Sequence, residues 1–178
     1  MKKLWWKKRP ASELDDTPYL HPDVVKFMEE IIHPDFEIME HGSGGSTLWF
    51  AQRCKSVLAV ERNEEWNKAV RRKAPKNVTV IKGDDIQPGK YDLILIDGEP
   101  LCNRVQWAAH APQRLKPGGW VVFDNCNHEQ FKFERDYLRQ LATEYKTFNG
   151  NEFGSKYLVT DFFRFDNSVK RGNISPIE

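Results

Sequence analysis

The chain has 178 residues, 27 basic against 26 acidic side chains and a formal net charge of +1. That length suits one domain with a substantial core, and so balanced a charge provides no global field to select nucleic acid or an anionic membrane. Apolar runs are strand-sized, short of the roughly 20 residues of a membrane span, and no apolar core follows the basic N-terminus; a soluble, cytoplasmic chain without a secretory signal is expected. The three cysteines, Cys54, Cys102 and Cys126, fit neither a disulfide framework nor zinc spacing. They are read as reduced and structural, with packing ranked above a nucleophilic role for Cys126.

Residues 1–16, MKKLWWKKRPASELDD, read as a basic, aromatic extension. Trp5 and Trp6 between basic residues could stack on nucleic acid, but no basic stripe continues along the chain, so packing of this arm on the domain is the favoured reading. Apolar positions 24, 25, 27, 28, 31 and 32 then predict a helix. Strand 36–40 ends in Glu40 and runs into a turn of small residues, Gly42 to Ser46, which opens a helix over 46–54. Taken alone, that turn is as readily a flexible loop as a ligand cradle, although its small residues would allow close backbone approach to a ligand. The acids at the later strand ends decide between the two. Strand 56–61 closes on Glu61, placed to accept hydrogen bonds from ribose hydroxyls. Helix 64–73 and strand 78–82 lead to Asp84 and Asp85; strand 91–97 brings Asp97; helix 103–115 and strand 119–124 bring Asp124 and Asn125; helix 129–143 comes next. Runs 144–149 and 156–164, joined by Gly150, Asn151 and Gly154, predict an antiparallel hairpin, and residues 166–178 a polar tail. Alternating strands and helices imply a mostly parallel sheet covered on both faces, with the acids gathered outside the carboxyl ends of its strands.

From residue 17 to residue 165 this order resembles the class I S-adenosylmethionine-dependent methyltransferases. The resemblance rests on Glu40, Gly42 and Gly44, on Glu61, on Gly83, Asp84 and Asp85, and on the runs YDLILIDG and LKPGGWVVFDN. It implies an α/β fold of three layers, Rossmann-like, with a mostly parallel seven-stranded sheet ending in an antiparallel hairpin. It further implies that the glycine loop, with Ser43 and Thr47, lies under the methionine moiety of S-adenosylmethionine, and that Glu40 helps to hold the region of its amino group. Glu61 would bind the ribose, Asp84 or Asp85 would sit near the adenine amino group, and Asp97 would lie where the methyl meets its acceptor. An acid-lined cleft favours a cationic sulfonium over the pyrophosphate of NAD, and GSGGS lacks the GxGxxG spacing. An NAD-type oxidoreductase is therefore the weaker reading, as is a non-catalytic binding module on the same fold.

IDG followed one strand later by FDN is similar to the metal-dependent small-molecule O-methyltransferases of the catechol and sugar-modifying types. That similarity implies Asp97, Asp124 and Asn125 as ligands of Mg2+, which would lower the pKa of the acceptor hydroxyl. The alternative is that Asp124 or Asn125 caps the next helix and Asp97 only orients the acceptor. Pro100 stands where the catechol-type enzymes carry a lysine base, so Asp97 and His128 are the catalytic candidates, with Glu99 in reserve. His41 is read as a cleft wall, and Arg104 as a salt-bridge partner of Glu99 in preference to a clamp for an acidic substrate. No Asn-Pro-Pro-Tyr type motif follows the fourth strand, which disfavours methylation of an adenine amino group. The expected acceptor is a small molecule or glycan-like.

Overall fold

A computed structural model describes residues 10–150 and 159–166. The extension up to Arg9, with Trp5 and Trp6, the hairpin turn at Asn151 and Gly154, and the tail from residue 167 lie outside the described residues. Helices α1 (Pro22–Ile31), α2 (Gly45–Ala51), α3 (Glu64–Lys73), α4 (Asn103–His110) and α5 (Lys132–Leu141) alternate with strands β1 (Glu37–His41), β2 (Ser56–Glu61), β3 (Val78–Lys82), β4 (Tyr91–Ile96) and β5 (Leu115–Phe123). Strands β6 (Glu144–Asn149) and β7 (Val159–Phe165) close the sheet, whose order is β3-β2-β1-β4-β5-β7-β6. β1 to β5 pair in parallel, and β7 runs antiparallel to both β5 and β6. The seven strands and the terminal hairpin are those expected. The reversal of strand order around β1 and β4 is a topological switch point, where open α/β sheets bind ligands.

Local chemistry explains the element ends. Asn63 caps α3 by accepting from the N–H groups of Glu65 and Trp66, acids fill the first turn and Arg71, Arg72 and Lys73 the last, in accord with the helix dipole. The helix expected over 103–115 ends at His110, because Pro112 carries no N–H to continue the ladder, and residues 111–114 tighten into a 3-10 turn. The helix expected from 129 likewise opens as a 3-10 turn, Glu129–Phe131, before α5. β5 begins at Leu115, four residues earlier than expected. Its pairing to β4 jumps from Tyr91↔Leu115 to Leu93↔Trp120, so the Pro-Gly-Gly segment bulges out within the strand.

Period-two alternation divides the core. Ile38, Val57, Leu93, Leu95, Val122 and Phe162 face α1 and α2, where they pack on Val24, Met28 and Phe50. Met39, Ile94, Ile96, Val121 and Phe163 face α4 and α5, against Trp107, Phe131 and Leu138. Each of these large side chains contributes about 1.5–3 kcal/mol on burial. A third cluster joins Leu48, Ala59, Ala69, Val70 and Val80, and Leu14, from the segment read as an extension, is buried in it. That segment is tied down further: Lys73 Nζ donates to the Leu14 carbonyl and Gln52 to Asp16, while a Cβ on Gly45 would lie 2.0 Å from the Thr17 carbonyl oxygen.

Candidate cofactor site

The same alternation sends adjacent residues of β1 to opposite faces. Glu40 points under the glycine loop. Its carboxylate accepts from Ser46 Oγ and from Thr47 Oγ1 (2.5 Å), and Thr47 Oγ1 in turn accepts from the Gly44 N–H at 2.9 Å. Glu40 therefore positions the loop from below, being only 1% exposed, and burial pushes its pKa up to about 8 despite the two hydroxyls. His41 turns to the other face and stacks on Trp107 with ring centroids 4.3 Å apart. Burial holds its pKa down at about 3, so the imidazole is neutral, consistent with a wall and not a base.

The loop is locked at both ends. Gly42 has φ +98° and its N–H donates to the Val60 carbonyl; a Cβ there would come within 3.1 Å of Gly98 Cα. A Cβ on Gly98 would stand 2.9 Å from Gly42 N, the His41 carbonyl carbon and the Trp107 ring. The two glycines thus let the loops after β1 and β4 interlock, in addition to any approach to a ligand. Gly44 is less crowded, with the Trp66 ring 3.7 Å from where its Cβ would be.

Glu61 stands at the tip of β2. Its Oε2 accepts from Ser43 N at 2.8 Å and from Ser43 Oγ at 3.3 Å, and its Oε1 accepts from Asn63 N at 2.6 Å. Both oxygens keep further lone pairs, so the carboxylate can still accept from hydroxyl groups. Burial raises its pKa above the usual range, with the charge of Asp97 adding to the effect. Asp84 accepts from Asn103 Nδ2 (2.8 Å), pairs with Arg62 at 3.6 Å, and offers its carbonyl to Trp107 Nε1 (2.9 Å). The loop after β3 is thereby fixed to α4. Asp85 is exposed, and its carbonyl accepts from Gln87.

Asp97 and Asp124 follow the ends of the paired strands β4 and β5, and their carboxyl groups interact directly. Burial raises the pKa of both; that of Asp124 reaches about 7, with the Asp97 charge as the next cause. Thr160 Oγ1, from β7, donates to Asp124 Oδ1. Arg104, buried on α4, fills the space beneath: Nε donates to Gly98 O (2.8 Å), Nη1 to Asp124 O (2.8 Å), and Nη2 to Asp97 O (2.7 Å) and Asp97 Oδ1 (3.1 Å). The expected pairing of Arg104 with Glu99 gives way to this one, because the guanidinium lies beneath the strand ends among carbonyls that would otherwise be unpaired. Thr160 and Arg104 are the partners that local sequence pattern missed.

The remaining candidates lie nearby in sequence but differ in role. Asn125 takes the left-handed backbone region (φ 49°). Neither it nor Asp124 caps a helix, since His128 occupies the residue before the 3-10 turn Glu129–Phe131 and makes no side-chain cap bond. The His128 ring packs edge-on to Phe131 at 5.7 Å. Cys126 is fully buried, with N–H and Sγ both directed at the Val159 carbonyl and its thiol pKa raised by burial, as suits a packing residue. Among the described residues no group of three His, Cys, Asp or Glu side chains is arranged to hold a metal ion. The donor set expected for Mg2+ fits a divalent ion poorly, since a guanidinium stands 3.1 Å from Asp97 Oδ1.

Glu40, Glu61, Asp97 and Asp124 thus form a set of desolvated carboxylates, with Asp97 raising the pKa of the other three. Such a cleft favours a cation and disfavours a pyrophosphate. A family model described as a methyltransferase domain matches residues 39–126, from β1 through the end of β5. No curated protein matches the chain in sequence. Among solved structures, the chain is similar to an rRNA methylase from Streptococcus thermophilus (TM-score 0.64, 13% identity, 81% of this chain and 95% of that one). It is similar to a methyltransferase from Pyrococcus furiosus (0.59, 18%, 81% and 86%) and to the N-methyltransferase NodS from Bradyrhizobium japonicum in complex with S-adenosyl-L-homocysteine (0.55, 18%, 74% and 78%). At these identities the likeness establishes the fold. Among the described residues no helix is long and apolar enough to cross a membrane.

Proposed function

We propose that this S-adenosylmethionine-dependent methyltransferase acts on an oxygen of a small-molecule or glycan-like acceptor. The observation that carries the cofactor half of the reading is the set of four carboxyl groups at the carboxyl ends of the strands, Glu40, Glu61 and Asp124 buried and Asp97 partly so, all with raised pKa values. A sulfonium and an α-ammonium group relieve that kind of charge crowding, whereas NAD would worsen it. The residues fit such a cofactor. Glu61 would accept the ribose hydroxyls, the backbone from Gly42 to Gly44 with Ser43 would lie beneath the methionine part, and Asp84 and Asp85 would flank the adenine. Glu40 and Thr47 act from below by fixing the loop.

When bound, the cofactor supplies an electrophilic methyl group, and transfer then needs alignment and exclusion of water more than a strong acid. Asp97, one-third exposed at the tip of β4, is the group we assign to orient the acceptor hydroxyl and take its proton. His128 is the second candidate for that proton, since it lies four residues beyond Asp124 on the loop that leaves β5. The oxygen preference is supported by the IDGEP segment after β4, which lacks the Asn-Pro-Pro-Tyr type motif suited to an adenine amino group. The FDN segment suggests Mg2+ assistance, but the Arg104 guanidinium beside Asp97 disfavours it.

Calorimetry with S-adenosylmethionine, S-adenosylhomocysteine and NAD tests the cofactor. Selective binding of the first two is expected, and binding of NAD alone would refute the reading. Methyl transfer to hydroxylated small molecules or sugars, set against amines and RNA, tests the acceptor. Turnover confined to amines or RNA would overturn the oxygen assignment, and cofactor binding with no turnover on any class would favour a binding module.

A further inference from the structure

Four oxygen atoms converge on one position beneath the ends of β4 and β5: the carbonyls of Asp97, Gly98 and Asp124, and Asp97 Oδ1. Carbonyl and carboxylate oxygens gathered from two loops are the ligand chemistry of a hard cation. Here the cation is covalent. The Arg104 guanidinium reaches all four at 2.7–3.1 Å, and its side chain is only 3% exposed. Its planar fork matches several acceptors at fixed angles, which a lysine ammonium cannot do. The guanidinium itself is shut off from solvent, and Thr160 of β7 takes up Asp124 Oδ1, while the Asp97 side chain stays one-third exposed.

We propose that Arg104 is the resident cation of the Asp97–Asp124 strand ends: it excludes a divalent ion from them and acts as a positioning residue that holds Asp97 toward the acceptor side of the cleft. The positioning part rests on the transferase reading; the exclusion part does not. A divalent ion beside Asp97 Oδ1 would face a fixed positive charge at 3.1 Å, with three of the nearby carbonyls already engaged.

Titration of the full chain with Mn2+, followed by electron paramagnetic resonance, reads the exclusion directly. The wild-type chain should show no stoichiometric Mn2+ site, and its affinity for S-adenosylhomocysteine by calorimetry should be the same in Mg2+ and in chelator. Arg104→Gln, which leaves the oxygens and removes the charge, should gain a Mn2+ site that Asp97→Asn in the same background abolishes. Arg104→Lys should remain without one. A stoichiometric Mn2+ site in the wild type that Asp97→Asn removes would overturn the proposal, as would a folded Arg104→Gln chain that gains none. Should Arg104→Gln fail to fold, the wild-type titration and Arg104→Lys still decide. Failure of the wild type to bind S-adenosylhomocysteine would count against the transferase reading alone, and the Mn2+ result would stand apart from it.

Discussion

On the proposed reading, Glu61 combines two roles in one carboxylate. It accepts the Ser43 and Asn63 N–H groups, which fixes the glycine loop to the end of β2, and it keeps lone pairs for a ribose. Glu61→Ala leaves two N–H groups without their acceptor and removes the ribose contact. We expect S-adenosylmethionine affinity to fall by about ten-fold or more, at least ~1.4 kcal/mol, measured by calorimetry; unchanged affinity would refute the ribose role. Glu40 supplies a pH signature. Its folded pKa of about 8 lies above the ordinary 4.5, so the cofactor-free fold keeps a proton that the unfolded chain releases. Stability from this group is intact below pH 4.5 and declines as pH rises from there toward 8. A bound cation favours the ionised form, so cofactor binding should release protons in that window. Affinity for S-adenosylmethionine should therefore rise between about pH 6 and about pH 8, more steeply than for S-adenosylhomocysteine, whose sulfur is neutral. Parallel slopes for the two would show that the carboxylates do not sense the sulfonium.

At the scale of elements, the loops after β1 and β4 share one contact surface at Gly42 and Gly98. Gly98→Ala would press a methyl group into backbone at 2.9 Å, where no flexible side chain can give way except the Trp107 ring. A loss of about 1–3 kcal/mol in thermal or denaturant unfolding is expected, with cofactor affinity reduced as well because the glycine loop shifts. A variant as stable as the wild type would mean that the loops are not interlocked. Leu14→Ala should cost about 2–5 kcal/mol, although the residue lies in a segment that sequence alone reads as an extension. That misreading has a physical cause. The pattern ASELDD has no periodicity of its own, and the pocket for Leu14 is built from residues of α2, β2, α3 and β3. Where the signal is local, the sequence is legible: Ser56–Glu61, Glu64–Lys73 and Val78–Lys82 fall where alternation and capping put them. Glu40, Glu61 and Asp97 could be found because each closes an apolar run. Arg104, Thr160 and the His41–Trp107 stack could not, because each depends on which strands and helices become neighbours.

The whole molecule carries opposite electrostatics at the two ends of its sheet. At the carboxyl end, Glu40, Glu61, Asp97 and Asp124 all carry raised pKa values. At the amino end, Glu37 bonds Lys116 (2.8 Å) and Lys55 (2.7 Å), and Asp92 joins the network through Lys116 and the Glu37 N–H. The hydrogen bond from Lys116, followed by that from Lys55, lowers the Glu37 pKa from 4.5 to about 2. Stability from this pair of contacts is present above pH 4.5 and is lost as pH falls toward 2, the reverse of Glu40. Glu37→Gln should flatten the acid limb of the stability profile and leave cofactor affinity as it was; an altered affinity would mean that the two ends are coupled.

The strand order has a consequence for biosynthesis. β7 lies between β5 and β6, so the last of the described strands to be made is inserted into a place bordered by strands made earlier. Until residues 159–165 leave the ribosome, β5 has an open edge, β6 has no partner, and Asp124 lacks the hydroxyl of Thr160. A nascent chain that already holds its glycine loop, Glu61 and Asp97 therefore still lacks the β7 side of Asp124. Closure of the sheet around Asp124 waits on residues 159–165, and a ribosome stalled before Val159 carries a protein whose sheet cannot yet close.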